Sequence, residues 1–315
     1  MARTVAVGVG IMEYPFDTAD GFWKWVDLCE AGGIDSIWQT DRMISRSPIL
    51  ECMTALAAIA GRTKRIKFGV NVVSVAMRDP VLLAKQCATI DVLSQGRLLP
   101  GFGIGSPRGP EWTAMHLDPK TRGRTTDEAL EIIQRLWSGE KFDFDGRHFK
   151  LTGAQIAPGP VQSDLPMWIG GSSEAAIRRT AKYGTGWQSG AETPETVGQV
   201  IAGIKAATAA AGRHIDEDHY GVTVPIRIGS PDDPAVAAMR ARLAARLKLI
   251  DGDPRGDLLA VGDPDDIAAL FHRYVAAGVH KFVAVPIVND AEDLLAQTEL
   301  LATRILPMVE DRVPA

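Results

Sequence analysis

A chain of 315 residues, 46% hydrophobic and 23% charged, is long enough for one large domain and too ordinary in composition to be disordered. The 34 Lys+Arg against 39 Asp+Glu give a formal charge of −5 without a basic run, which argues against a nucleic-acid partner. The start lacks the apolar core of a signal peptide and no stretch reaches membrane-spanning length, so a cytoplasmic protein is expected. Cys29, Cys52 and Cys87 are odd in number and lack metal-ligand spacing, and they read as reduced packing residues.

The chain then alternates strand and helix. Val5 to Gly10 reads as a strand, and Thr18 to Ala31 as a helix burying Phe22, Val26 and Cys29, closed by Gly32-Gly33. A second strand, Ile34 to Gln39, ends in Thr40-Asp41-Arg42, and a helix from Pro48 to Arg62 buries Ile49, Cys52, Met53, Leu56 and Ile59. From Ile66 to Val75 the run of small and β-branched residues suits a strand covered on both faces. Asp79-Pro80 caps and opens the next helix, Val81 to Leu93, and Gly96 closes it before a strand ending in Gly101-Phe102-Gly103-Ile104-Gly105. This is a parallel β-α-β unit.

Prolines and glycines break the rhythm between Ser106 and Thr125. Thr125-Thr126-Asp127-Glu128 reads as a capping box opening a helix whose buried stripe is Leu130, Ile133, Leu136 and Trp137. A second excursion, 139–165, contains a hairpin at Lys141–Phe149 around an Asp-Gly turn. Both excursions are expected at the rim of an active site. Met167 to Gly171 is the fifth strand, with a helix from Ser173 to Tyr183. Gly186 to Gln188 is the sixth, with a helix from Thr193 to Ala211. Tyr220 to Ile228 is the seventh, followed by a helix between Pro231 and Leu249 and a mobile loop at Gly252–Gly256. Gly262-Asp263-Pro264 opens a helix to Ala277, Lys281 to Val285 is the eighth strand, and Ala291 to Met308 is the last helix. Eight rounds predict an α/β fold of the (β/α)8 TIM-barrel class, one domain over 1–315 with insertions at about 106–124 and 139–165 at the C-terminal mouth, rather than an open doubly wound sheet.

Gly101, Gly103 and Gly105 do not form a dinucleotide fingerprint, because a proline-rich excursion follows them where a helix is needed. Instead Arg78-Asp79-Pro80, Leu83-Ala84-Lys85, Ala88-Thr89-Ile90-Asp91, Gly96-Arg97 and Gly101 to Gly105 resemble the bacterial luciferase-like monooxygenase superfamily. Pro166 to Ser172, Gly184-Thr185-Gly186-Trp187 and, near the C-terminus, Gly278 to Val283 with Gln297-Thr298 and Leu306-Pro307 match in the same order. The last group is similar to the pattern of its deazaflavin-dependent branch.

The resemblance implies a flavin-type cofactor, coenzyme F-420 (8-hydroxy-5-deazaflavin) or alternatively FMN, at the barrel mouth. It implies a cis peptide at Asn71-Val72 behind the ring. Asp41, Asn71, Val72, Gly105, Ser106, Gly170, Gly171 and Ser172 are then the cofactor-binding positions. Glycines allow close approach of a flat ring, and Gly170 to Ser173 precede a helix whose N-terminus can hold a phosphate, although such glycines can also serve only the turn. Sugar-phosphate dehydrogenase relatives carry Asp-His after strand two and Gly-Glu after strand four; here Asp41-Arg42 and Gly105-Ser106 stand there, which argues against glucose 6-phosphate oxidation. Arg42 stays charged and can bind or polarise a group but not accept a proton. Asp41 and Arg42 are the catalytic candidates, Asp41 being equally a turn or cap residue.

His116 and His148 lie in the excursions and read as surface residues. Trp38, Trp112 and Trp168 suit either a substrate cavity or the core. The function expected is hydride transfer between the deazaflavin and a small organic substrate. The alternatives are an FMN monooxygenase and a non-catalytic flavin-binding relative. A homodimer is expected, with no metal.

Overall fold

The computed structural model describes residues 5–247 and 260–309. Eight parallel strands close into a barrel with alternating helices outside. In chain order they are β1 (Ala6–Ile11), β2 (Ser36–Gln39), β3 (Lys67–Ser74), β4 (Leu98–Gly103), β7 (Trp168–Gly170), β8 (Gly186–Ser189), β9 (Tyr220–Ile228) and β11 (Lys281–Pro286). The ring runs β1-β2-β3-β4-β7-β8-β9-β11 and returns to β1, each pair parallel. β5 (Phe142–Asp145) and β6 (Lys150–Ala154) form the expected hairpin, and β10 (Ala260–Gly262) pairs with the far end of β9. Three residues carry too little pattern to reveal β10 beforehand.

The helices are α1 (Ala19–Ala31), α2 (Cys52–Arg62), α3 (Pro80–Ser94), α4 (Glu111–Ala114), α5 (Arg122–Trp137), α6 (Glu174–Tyr183), α7 (Pro194–Ala210), α8 (Pro234–Leu247), α9 (Pro264–Ala276), α10 (Ala291–Leu300) and α11 (Leu306–Val309). Their starts follow the caps in the sequence: Thr18, Asp79, Ser173, Thr193 and Asp263 each accept a first-turn N–H. The last helix is not continuous. A π-helical turn, Leu301–Ile305, separates α10 from α11, where Pro307 has no N–H for the preceding turn. The expected end of α8 and the loop at Gly252–Gly256 fall outside the described residues. No helix among the described residues is long and apolar enough to cross a membrane.

Three expectations change. α2 begins at Cys52 rather than Pro48, because Glu51 is its cap and accepts from the N–H groups of Met53 and Thr54. α5 begins at Arg122, so Thr125 and Glu128 lie inside it. The Glu128 carboxylate turns outward to accept from the N–H groups of Arg147, His148 and Phe149 in the β5–β6 turn. Finally, the 139–165 segment follows a helix, so it leaves from the N-terminal end of the barrel. It lies against α3 there, with Asp91 accepting from the Val161 and Gln162 N–H groups and Gln162 donating to the Leu98 carbonyl. Only the 106–121 excursion borders the mouth.

Inside the barrel, glycines make room for large side chains from neighbouring strands. Trp38 lies against Gly8 and Gly69, where an added Cβ would come within 2.8 and 2.7 Å of its ring. Trp168 lies against Gly186, and the two indoles meet edge to face with centroids 6.5 Å apart. Both tryptophans therefore belong to the core. Beneath them the buried Lys281 ammonium pairs with Asp35.

The N-terminal end is stapled by arginines on backbone carbonyls, most of them at helix C-termini. Arg65 donates to the carbonyls of Cys29, Glu30 and Ile34, Arg97 to those of Ala60, Thr63, Ile66 and Ser94, and Arg213 to those of Thr180, Ala181 and Gly184. Glu30 accepts from three successive N–H groups, Lys64, Arg65 and Ile66. Burial alone would raise its carboxyl, but those N–H groups and Arg65 bring it below its ordinary value. All three cysteines are free and buried; burial raises their thiols, that of Cys87 to about 12, so they pack as hydrophobes.

Candidate active site

Barrel enzymes work at the C-terminal ends of their strands, and here those ends converge on one mouth. Asp41, just past β2, is 3% exposed at its side chain. Both of its oxygens face the Arg78 guanidinium at 2.7 and 2.8 Å, and one also accepts from the Ser74 N–H at 2.8 Å. Arg78 reaches on to Glu51 at 3.2 Å. A planar guanidinium suits this two-pronged contact, which ties the ends of β2 and β3 to the start of α2. A carboxylate so committed positions the rim.

In β3 the Asn71-Val72 peptide is cis, as the resemblance implies. The pairing of β3 with β4 shifts register between Val70 and Val73, and this irregularity turns both Asn71 and Val72 into the barrel. The Asn71 amide donates across the interior to Thr223 Oγ1 at 2.7 Å, and Thr223 in turn donates to the Ser189 carbonyl. Val72 fits a hollow made by Gly101, Gly103 and Gly170, where an added Cβ would meet its methyls at 3.1, 2.5 and 3.0 Å. Those glycines thus serve the Val72 side chain first.

After β7 the chain turns through Gly170 and Gly171, the latter at φ +102°, into α6. The Gly171 carbonyl accepts from Trp187 Nε1, and Ser173 caps the helix. Beside this turn lies a cavity lined by Phe102, Gly103, Thr126, Gly171, Ser173 and Arg179. Thr126 is 1% exposed and its Oγ1 has no hydrogen-bond partner. Arg179 is held by Asp127 and the Gly123 carbonyl. A buried hydroxyl without a partner beside a helix N-terminus fits an anionic oxygen. The hydroxyl of Ser172 points elsewhere: it and Ser189 both donate to one carboxylate oxygen of Glu192.

Across the mouth, Arg42 is half exposed and its Nη1 lies 3.6 Å from Glu111 Oε1. Glu111 is buried in α4, with Oε2 unpartnered. Gly105 has φ +73°, and Ser106 is exposed, its carbonyl accepting from Trp112 Nε1 at 2.7 Å. Trp112 packs with Ala76 and Met77, fastening the excursion to the end of β3. His116 is exposed in a turn, and His148 sits in the β5–β6 turn against α5, so neither joins the mouth residues.

Thus the structure gathers Asp41, Arg42, Asn71, Val72, Gly105, Ser106, Gly170, Gly171 and Ser172 at one end of the barrel. It adds Thr126, Glu111, Glu192 and Thr223, which sequence reasoning passed over. Thr126 hid inside a supposed capping box. Glu192 lies three residues past β8 and immediately before a Thr-Pro helix start, a position that could have drawn attention.

The luciferase-like monooxygenase family model matches residues 6–251. An uncharacterized protein of Mycobacterium tuberculosis (strain ATCC 25618 / H37Rv) is 32% identical over 167 residues, which cover 53% of this chain and 57% of that relative, little more than half its length. The F420-dependent glucose-6-phosphate dehydrogenase of Nocardia farcinica (strain IFM 10152) is 27% identical over 259 residues, 72% of this chain and 75% of the relative. Among solved structures, the monooxygenase RslO1 from Streptomyces bottropensis superposes with a TM-score of 0.83 at 20% identity, covering 96% of this chain and 99% of that one. An F420-dependent secondary alcohol dehydrogenase in complex with an F420-acetone adduct gives 0.79 at 18% identity, covering 97% and 99%. At these identities the solved structures speak to the fold.

Proposed function

The chain belongs to the luciferase-like monooxygenase family, and from that premise we propose that it is an oxidoreductase transferring hydride between coenzyme F-420 and a small organic substrate. The observation that carries this reading is the cavity at the start of α6, where the unpartnered Thr126 Oγ1 and the N-terminus of the helix suit a cofactor phosphate. The names of the Nocardia relative and of the alcohol dehydrogenase support the choice of deazaflavin.

When bound, a deazaflavin supplies a ring carbon that accepts or donates hydride and does not activate oxygen. The protein's own groups bind and orient. Val72 and Asn71 would form the wall for a flat ring, Gly105 and Ser106 would border it, and Gly170, Gly171 and Ser173 would hold the phosphate. Asp41 is a positioning residue, since Arg78 and Ser74 occupy its oxygens. Arg42, half exposed beside Glu111, offers a fixed positive charge to a carbonyl or carboxylate of the substrate. The Nocardia relative acts, by its name, on glucose 6-phosphate; Arg42 and Ser106 replace the His and Glu of that kind of site, so a different substrate is proposed here.

A second reading, FMN-dependent oxygenation, is supported by the fold likeness to RslO1 and to an FMN-bound Baeyer-Villiger monooxygenase from Pseudomonas putida, at TM-scores of 0.83 and 0.76. Titration of the purified protein with oxidised deazaflavin and, separately, FMN, following cofactor fluorescence, decides between them. Preferential saturable binding of the deazaflavin is expected. Preference for FMN would move the reaction to oxygen chemistry, and binding of neither would sink both.

A further inference from the structure

Glu192 is more firmly held than a loop carboxylate needs to be. It follows β8, and its Oε2 accepts from Ser172 Oγ and from Ser189 Oγ at 2.7 Å, so hydroxyls from the ends of two adjacent strands converge on one oxygen. Its backbone carbonyl accepts from the buried Tyr274 hydroxyl at 2.6 Å. Burial raises the Tyr274 phenol, which keeps that donor protonated. No Lys, Arg or His pairs with Glu192 among the described residues. Ser172 stands between Gly171 and Ser173, which line the cavity proposed for the cofactor phosphate, so a carboxylate with no cationic partner among the described residues is tied to the back of that turn.

The charges on the two candidate cofactors differ at this point. The deazaflavin's phosphate is a diester with one negative charge. FMN ends in a monoester, which like other phosphate monoesters carries about −1.5 to −2 at neutral pH. The helix N-terminus contributes a partial positive charge of roughly half a unit, enough to favour one charge but poorly matched to two when a carboxylate stands alongside. Like charges held on the two sides of one turn, away from bulk water, repel each other more strongly than they would in solvent. Resting on the cofactor reading above, we infer that Glu192, anchored by Ser172 and Ser189, is a specificity-determining residue that rejects the dianionic monoester of FMN and admits the monoanionic diester of the deazaflavin. Rejection by a built-in repulsive group is a common route to specificity, since selectivity is a difference between two affinities. Without Glu192 the turn and helix start would remain a general phosphate site.

The test compares wild type with Glu192→Gln, which keeps the shape and can still accept from both serines, and with Glu192→Ala. Each is titrated with FMN, riboflavin and oxidised deazaflavin, with thermal melting as the check on folding. Riboflavin lacks the phosphate, so the FMN-to-riboflavin affinity ratio isolates the phosphate's share. In Glu192→Gln, FMN affinity should rise by about tenfold or more, which is a change of roughly 1.4 kcal/mol, while riboflavin and deazaflavin shift by less than about threefold. Glu192→Ala should move the ratio in the same direction. An unchanged FMN-to-riboflavin ratio in both variants, with the deazaflavin still bound by wild type, overturns the inference and leaves the cofactor reading standing. Failure of wild type to bind the deazaflavin overturns the cofactor reading and this inference with it.

Discussion

Both ends of this barrel carry partnered polar networks, but the buried polar atoms left without partners gather at one end. At the N-terminal end, Arg97 places its guanidinium on four backbone carbonyls and the Thr63 hydroxyl, Glu30 gathers three N–H groups, and Lys281 meets Asp35. At the C-terminal end, Gln39 Nε2, Glu111 Oε2, Arg122 Nε, Thr126 Oγ1, Gln188 Oε1 and Arg227 Nε are buried without partners; among the described residues only His148 Nε2 shares that condition elsewhere. Leaving a buried polar atom unmatched costs about 1–3 kcal/mol, so unmatched atoms concentrated at one end make that end the place where a ligand's polar groups would gain most.

That contrast can be broken at either end. The largest effect is expected for Arg97→Ala, which strands several carbonyls at once. Unfolding free energy should fall by about 3–5 kcal/mol in a denaturant titration, with cofactor affinity of the folded protein unchanged. A matching loss of affinity would show that the two ends are not separable.

Gly103→Ala should cost about 1–3 kcal/mol, because the new methyl meets Val72 at 2.5 Å. Adding Val72→Ala should return part of that loss, as a double-mutant cycle would reveal. Simple additivity would mean that Val72 does not fill the glycine hollow.

Thr126→Val sharpens the comparison. It removes an unpartnered hydroxyl without changing shape, so stability should hold or rise by up to ~1 kcal/mol, whereas deazaflavin affinity should drop by about three- to tenfold. A stability loss without an affinity loss would place Thr126 with the scaffold.

The smallest effect concerns acid. The Glu30 carboxyl titrates lower folded than unfolded, so its contribution is complete above the ordinary value of about 4.3 and disappears as pH falls through the lower folded value. Wild type should lose its advantage over Glu30→Gln below about pH 4.3, read from denaturation midpoints; an advantage that persisted at still lower pH, below the folded value, would contradict the assignment.

The sequence was most legible where local chemistry decides structure. Runs such as Gly69 to Val73 announced central strands, and Asp79-Pro80 and Thr193-Pro194 announced helix starts. The order of motifs around Arg78 and Gly170 brought the mouth residues into view, including the cis bond at Asn71-Val72. It was least legible where a side chain reaches far along the chain. Glu128 has the spacing of a capping box, yet its partners are the backbone of a turn about twenty residues on. Ser172 was expected to face a cofactor, yet its hydroxyl goes to Glu192. Trp38 and Trp168 suit a substrate cavity and the core equally by sequence, and only the space left by Gly8, Gly69 and Gly186 decides for the core. The second excursion looked like rim because its length was visible, whereas its departure from a helix end determined which side of the barrel it occupies.

If the end with unpartnered polar atoms is the cofactor site, the cofactor's phosphate sits at the start of α6. A crystal structure of the protein soaked with oxidised deazaflavin tests it most directly. The phosphate is expected within hydrogen-bonding distance of Thr126 Oγ1 and the first N–H groups of α6, with the ring against Asn71-Val72. A bound deazaflavin whose phosphate lies away from α6, or whose ring lies off the mouth, would contradict it.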